Sequence, residues 1–423
     1  MSSHQPPAVA AARRLSPRNR FALDGMNFFL ADVRDGLGPY LAIWLLVSRQ
    51  WDPASIGAVM SVAGIASLLF QIPAGAMVDN VRWKRAAIAG AAIIVALAAI
   101  ATVSSPSFAV VFGGQVAMGA AGAVFAPALA AVTLGLTGPA AYGARVGRNE
   151  AFNHAGNAAA AVMAGLLAHF FSAETIFWLL AGMGLLSAAS ALTVDGRAID
   201  HAVARGIDTS HRGERPSSLG VLLGNRSLLM LTVAVALFHL GNAAMLPMVG
   251  QKLAALRGDD VAFAYMSACI IVAQVVMIGV AALAAQRVDI VGRRPLFLIG
   301  FAVLPVRGLL YTITDDPVLL LAIQSLDGIG AGLFGVLFPV MIADLTRGSG
   351  HTNLALGASS MIWGGAAAVS HAIAGTVASH MGYDAAFLFL AGASALGGIV
   401  FAVAVPETRP PVAPGPIAST PAG

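Results

Sequence analysis

The residues best equipped to do chemistry are a cluster of charges within an apolar stretch, Asp32-Val-Arg34-Asp35-Gly36-Leu-Gly38-Pro39. Asp32 and Asp35 are spaced i,i+3 and share a helical face, with Arg34 beside them in sequence. Two carboxylates against one guanidinium leave one negative charge, which a proton or a cationic solute can balance. A carboxylate removed from water becomes a proton-exchanging group. Asp32 and Asp35, with Arg34, are therefore the candidates for proton coupling, and a fixed ion-pair network is the alternative role for the same side chains. Gly36, Gly38 and Pro39 loosen any helix at this point.

Other polar side chains recur inside apolar runs. Asn153, His154 and Asn157 stand at i,i+3 and i,i+4 spacing and give one helix a polar face. His239 and Asn242 are i,i+3 and precede Pro247. Either set can wall a pocket or hold helices together by hydrogen bonds. Histidine titrates near neutrality, so His154 and His239 are also possible proton relays. Gln115, Gln274, Trp363 and His371 are further pocket candidates, Trp363 as a surface for a solute ring. Arg307 and Asp327 lie at similar depth when counted from opposite ends of neighbouring antiparallel helices, so they can form an ion pair within one bundle.

The elements that must position these groups follow from composition. Of 423 residues 58% are hydrophobic and 10% charged, with a mean hydropathy of +0.82. Soluble domains run near a quarter charged, so this surface suits lipid. Twelve apolar runs are long enough to cross a bilayer: 21–46, 54–79, 86–103, 107–136, 149–171, 174–194, 227–251, 261–285, 296–313, 317–345, 353–379 and 383–405. The predicted fold is all-α, with twelve transmembrane helices in two six-helix bundles, 21–194 and 227–406. The polar segment 195–226 reads as a cytoplasmic linker, and 1–20 and 407–423 as disordered tails. Arg13-Arg14 precedes no convincing cleavage site and reads as a basic anchor.

With the N-terminus inside, nineteen basic residues fall on the inner side. Only Arg49, Lys252 and Arg257 fall outside. Both termini are thus expected to be cytoplasmic. Only two of the 24 basic residues are lysine, and Ala and Gly abound. This fits a GC-rich bacterial genome, hence the inner (plasma) membrane. The basic residues are scattered between apolar runs rather than gathered in a patch, which argues against a nucleic-acid partner. The single cysteine, Cys269, excludes an intramolecular disulfide and a cysteine-based metal site. No metal, cofactor or obligate oligomer is expected.

The two halves repeat one another. Phe177-Trp-Leu-Leu-Ala-Gly182 matches Phe387-Leu-Phe-Leu-Ala-Gly392 at an offset of 210, as do Ala164-Gly165 with Ala374-Gly375 and Asp79 with Asp289. Gln115, Gly119 and Phe125 match Gln324, Gly328 and Phe334 at an offset of 209. Parallel six-helix halves place a binding site at their interface near the bilayer midplane.

The loop Gly75-Ala-Met-Val-Asp79-Asn-Val-Arg82-Trp-Lys84-Arg85 and its copy Asp289-Ile-Val-Gly292-Arg293-Arg294-Pro295 resemble the signature loop of the major facilitator superfamily, G-x-x-x-D-[RK]-x-G-R-[RK]. With the repeat, the resemblance covers residues 21–406. The second copy has Ala285 and Ile290 at the first glycine and early basic positions. The first has Asn80, Arg82 and Trp83 at motif positions. The resemblance implies that Asp79 and its basic neighbours latch the halves in one arrangement and release them in the other; simple anchoring of the inner side by Arg82, Lys84 and Arg85 is the alternative. Two features of proton-driven drug exporters are absent: Gln115 replaces an arginine, and the helix holding Asn153-His-Ala-Gly-Asn157 lacks a Gly-Pro pair.

The expected function is secondary active transport of a small organic solute by alternating access, proton-coupled, with export of a drug or metabolite favoured. Uptake of a nutrient or a metal-chelate ligand is the alternative, and a non-transporting sensor a remote one. No HExxH, phosphate loop or nucleophile–base pair points to an enzyme. The asymmetric polar residues fit one pathway per chain, hence a monomer rather than a channel ring.

Overall fold

In hydrocarbon a backbone must satisfy its own N–H and C=O groups, and a helix does so within one segment. The structure, a computed structural model, describes residues 15–35, 38–204, 218–257, 259–347 and 351–409, and no strand occurs among them. The first half holds α1 (Pro17–Asp35), α2 (Gly38–Val47), α3 (Pro53–Asn80), α4 (Lys84–Ser104), α5 (Phe108–Thr137), α6 (Pro139–Phe170) and α7 (Thr175–Thr193). Two short helices follow, α8 (His201–Ala204) and α9 (Ser218–Leu223). The second half holds α10 (Arg226–Asn242), α11 (Met245–Arg257), α12 (Asp259–Val291), α13 (Arg293–Leu310), α14 (Pro317–Leu345), α15 (Thr352–Met381) and α16 (Tyr383–Ala404).

Among the described residues nine helical segments, α10 and α11 counted as one, are long and apolar enough to cross a membrane. The other expected crossings fall on α1 with α2, on α6 and on α13. These carry the charges that dilute their hydropathy, among them Asp24, Arg34, Arg145, Arg148 and Arg307. Starts are set by local chemistry. Asp52, Ser107, Asn225 and Asp316 each accept backbone N–H groups as N-caps. Pro53, Pro139 and Pro317 occupy first-turn positions where no N–H is needed.

Two expected single spans are broken. The stretch 21–46 divides into α1 and α2, and Gly38 begins α2 at φ +43. The stretch 227–251 turns at Ala243–Ala244, where Pro247 cannot donate to the carbonyl of Ala243. α6 begins ten residues before the expected 149, because its polar first turns find partners that hydropathy does not register. Residues 17–20, expected in a disordered tail, are helical. Glu407–Arg409 are hydrogen-bonded to the second bundle. The remaining expected tails, 1–14 and 410–423, and linker residues 205–217 lie outside the described residues.

α1–α7 share one apolar core, which reaches across to Ala254 of α11 and to Ala262, Phe263 and Met266 of α12, and α10–α16 share another. The halves meet along four pairs, α3 with α15, α6 with α12, α2 with α11 and α2 with α12. The signature loops, the described linker segments, the start of α1 and residues 405–409 lie at one end of the molecule, here called the basic end. Arg49, Lys252 and Arg257 lie at the other, the far end.

Candidate functional site

α1, α2, α3 and α5 from one half and α15 from the other enclose a cavity of about 620 Å³. Its polar lining comes from Arg34, Ser67, Gln71, Gln115, Ser360, Trp363 and His371. Met60, Met118, Gly64, Gly119, Gly122, Gly364 and Ala368 shape much of the rest. Small residues keep the helix backbones close and leave the interior to solute-sized space.

The far end of this cavity is sealed. A Cβ on Gly57 would strike the carbonyl oxygen of His371, and one on Gly375 would strike that of Pro53. Only glycine permits this crossing of α3 and α15. Tyr40 Oη lies 2.8 Å from Ser267 Oγ, joining α2 to α12. Ser379 Oγ accepts from Ala54 N at 3.2 Å and donates to Asp52 Oδ1 at 3.2 Å. The Asp52 carboxyl is held below its ordinary value, chiefly by the Ser55 hydroxyl, with the Ala54 and Ser55 amides and Ser379 assisting.

The basic end differs. Five consecutive α3 residues, Leu69–Pro73, are all exposed. Five residues span more than a full helical turn, so packing is loose around the whole circumference of α3 here. The last turns of α12 are largely exposed as well. The cavity is therefore closed at the far end and open toward the basic end.

Of the expected pocket residues, Gln115, Trp363 and His371 line this cavity, as does Arg34. Gln115 is buried, with Nε2 3.5 Å from Met118 Sδ. Asp32 is half-buried on α1 and is not among the lining residues, while Asp35's side chain lies outside the described set. His239 stands behind Trp363: the rings stack at 4.2 Å, and His239 Nδ1 faces Val235 O at 3.0 Å. Asn153, His154, Asn157 and Gln274 are half-buried on α6 and α12, outside the lining. Asn242 sits at the α10–α11 break and accepts from Arg307 Nη2 at 2.6 Å. Arg307, 1% exposed, also pairs with Asp327, which accepts from Gln324 Nε2 at 3.2 Å. This network lies inside the second bundle.

The signature loops make contacts within their own halves. Lys84 is buried and donates to the carbonyls of Val78 and Val81 at the end of α3. Arg85 donates to Leu192 O and Val194 O, at 3.1 and 2.7 Å. Asp79 and Arg82 are exposed, and Gly75 is half-buried. In the second loop Arg293 bridges Asp289 (2.8 Å) and Asp344 (3.1 Å), and Arg294 donates to Ala402 O. Gly292, at φ +106, precedes α13, whose first N–H groups, of Arg293 and Arg294, donate to Glu407. Burial raises the Glu407 carboxyl, but the amides of Arg409, Arg294, Arg293 and Thr408 outweigh it and hold it below its ordinary value.

Sequence reasoning missed two features. Asp24 on α1 takes a bidentate pair from Arg148 (2.9 and 2.7 Å) and lies 2.7 Å from Arg145 Nη2. Its one signal was an acid inside an apolar run. Ser67, Gln71 and Ser360, which also line the cavity, were not singled out. Ser67 and Gln71 are i,i+4 on α3, a spacing that marks one face.

The family model described as Major Facilitator Superfamily matches residues 23–290 and 280–420. The chain belongs to that superfamily. It is a multi-pass membrane transporter of small-molecule solutes. It is 50% identical over 398 residues to uncharacterized MFS-type transporters of Mycobacterium tuberculosis strains CDC 1551 and H37Rv, covering 93% of this chain and 94% of each relative. Among solved structures it resembles the nucleoside transporter NupG at a TM-score of 0.74 and 15% identity, covering 90% of this chain and 98% of that one. A variant of NupG gives a TM-score of 0.73. At that identity the likeness speaks to fold.

Proposed function

We propose that this chain is a secondary active transporter that works by alternating access as a monomer in a bacterial inner membrane, its basic end and both termini cytoplasmic. The carrying observation is the interbundle cavity, sealed at the far end by the Gly57–Gly375 crossing and open at the other. Rocking the halves about this cavity exchanges the open end. In the present state the cavity loads from the basic side, and export is the direction we assign. Protons are the driving ion, with Asp32 and Asp35 as the exchanging groups next to Arg34. The charge asymmetry of the two ends supports the orientation.

A thermal-shift screen of purified protein against a solute library tests the binding step. A solute at about a hundred times its dissociation constant should stabilise the fold by about 2.7 kcal/mol. The hit is then followed in proteoliposomes under an imposed proton gradient, in wild type and Asp35→Asn. Gradient-driven accumulation lost in the variant is expected. Equal flux with and without the gradient overturns proton drive, movement with the proton gradient rather than against it overturns export, and tight binding without flux favours a sensor.

A further inference from the structure

The cavity carries a charge pattern that its sequence does not suggest. Read along the chain, the Asp32–Arg34–Asp35 cluster is net negative. In the structure Arg34 is exposed in the cavity wall, and it is the only formally charged side chain among the described lining residues. No carboxylate among the described residues pairs with it. A guanidinium presented to a solute-sized cavity is a ready partner for an anionic group.

The neighbouring backbone adds to this field. α2 starts afresh at Gly38, and Gly38 and Leu41 from its first turn line the cavity. The positive end of the α2 dipole therefore lies beside the same space as Arg34. Broken membrane helices elsewhere present half-helix N-termini to anionic groups in this manner.

The opposite wall is aromatic. Trp363 is fixed from behind by His239, and Phe334 packs edge-on at 5.9 Å. Its indole Nε1 is buried with no hydrogen-bond partner, and so is Nδ1 of His371, two helical turns further along α15. Buried polar groups without partners are rare in proteins, and at a binding site the ligand is the natural partner. Apart from Ser67, Gln71, Gln115 and Ser360, the remaining lining is glycine, alanine, methionine and small aliphatic side chains, which yield to flat apolar shapes.

Resting on the transport reading of this same cavity, we infer that its solute is a small organic anion with a flat ring, the carboxylate held at Arg34 and the first turn of α2, the ring set against Trp363. Such a solute supplies the counter-charge, and its ring covers the indole face that His239 leaves free.

The test uses the detergent-purified full chain and four probes: 1-naphthoate, 1-naphthylmethylamine, 1-naphthalenemethanol and cyclohexanecarboxylate. Titration calorimetry is expected to show 1-naphthoate binding at least about tenfold tighter than the amine or the alcohol. Arg34→Gln should lose at least about tenfold in naphthoate affinity, with Arg34→Lys recovering part of it. Trp363→Leu should weaken naphthoate more than cyclohexanecarboxylate. Tighter binding of the amine overturns the inference. So does unchanged naphthoate affinity in Arg34→Gln, or no naphthoate binding by wild type. Counterflow in proteoliposomes separates this from the transport reading. Counterflow of the amine alone overturns the anion site and leaves transport standing. Selective naphthoate binding without counterflow overturns transport and leaves the anion site standing.

Discussion

Arg307 illustrates what a single buried charge demands. It is 1% exposed, and its guanidinium is shared by Asp327, Asn242 Oδ1 and Met245 Sδ. Removing one member of a buried pair leaves the other uncompensated. Arg307→Met is expected to cost about 3–5 kcal/mol of stability. Adding Asp327→Leu should restore most of it, because two apolar groups replace two desolvated charges. Thermal unfolding of the single and double variants reads this directly, and no recovery in the double variant would make the pair more than a packing element. The rise per residue suffices to bring Arg307 and Asp327 to one depth on antiparallel neighbours. Asn242 could not be added that way, since its place depends on where α10 breaks. Asp24 shows the same limit: its partners lie over a hundred residues away on α6 and only folding names them.

Elements carry the next set of consequences. Glu407 ties the chain after α16 to the start of α13, taking the amides of Arg293 at 3.0 Å and Arg294 at 3.1 Å. Its carboxyl lies below the ordinary glutamate value of 4.5 when folded, so the unfolded chain binds the proton more readily. The stability it contributes is therefore complete above 4.5 and is lost as pH falls through the depressed folded value. The melting-temperature gap between wild type and Glu407→Gln should be present at pH 7 and close on acidification; a gap independent of pH would assign the effect to packing. The crossing of α3 and α15 yields a second test. Gly57→Val places carbon against the His371 carbonyl and should push the halves apart at the far end. With Cys269→Ser removing the native thiol, maleimide labelling of Ser267→Cys should rise at least about fivefold, the response to roughly 1 kcal/mol. Most helix ends were legible, because proline, glycine and N-cap residues act locally. The early start of α6 was not, since its polar turns are stabilised by tertiary partners rather than by hydropathy.

At the scale of the whole molecule the far-end contacts must break for the cavity to change sides. Asp52→Cys with Ser379→Cys, in a Cys269→Ser background and joined by a short thiol-specific cross-linker, should hold the far end closed. Solute binding should persist while flux falls to background and returns on reduction; undiminished flux in the cross-linked protein would overturn the rocking mechanism. The sequence by itself determined that the chain is helical, lies in a membrane and consists of two like halves. Hydropathy, basic-residue asymmetry and a repeat at constant offset are local or one-dimensional properties, so they survive without coordinates. The family followed from the same features, because its signature loop is contiguous. Only the tertiary structure decided which polar groups share a space. It set Arg34, Gln115, Trp363 and His371 around one cavity, moved Asn242 into the Arg307 network and hid His239 behind an indole. A helix turns 100° per residue, so a broken helix or a slight rotation redirects a side chain between lipid, bundle core and cavity. That choice is made by packing between distant segments, and nothing in the order of residues along the chain records it.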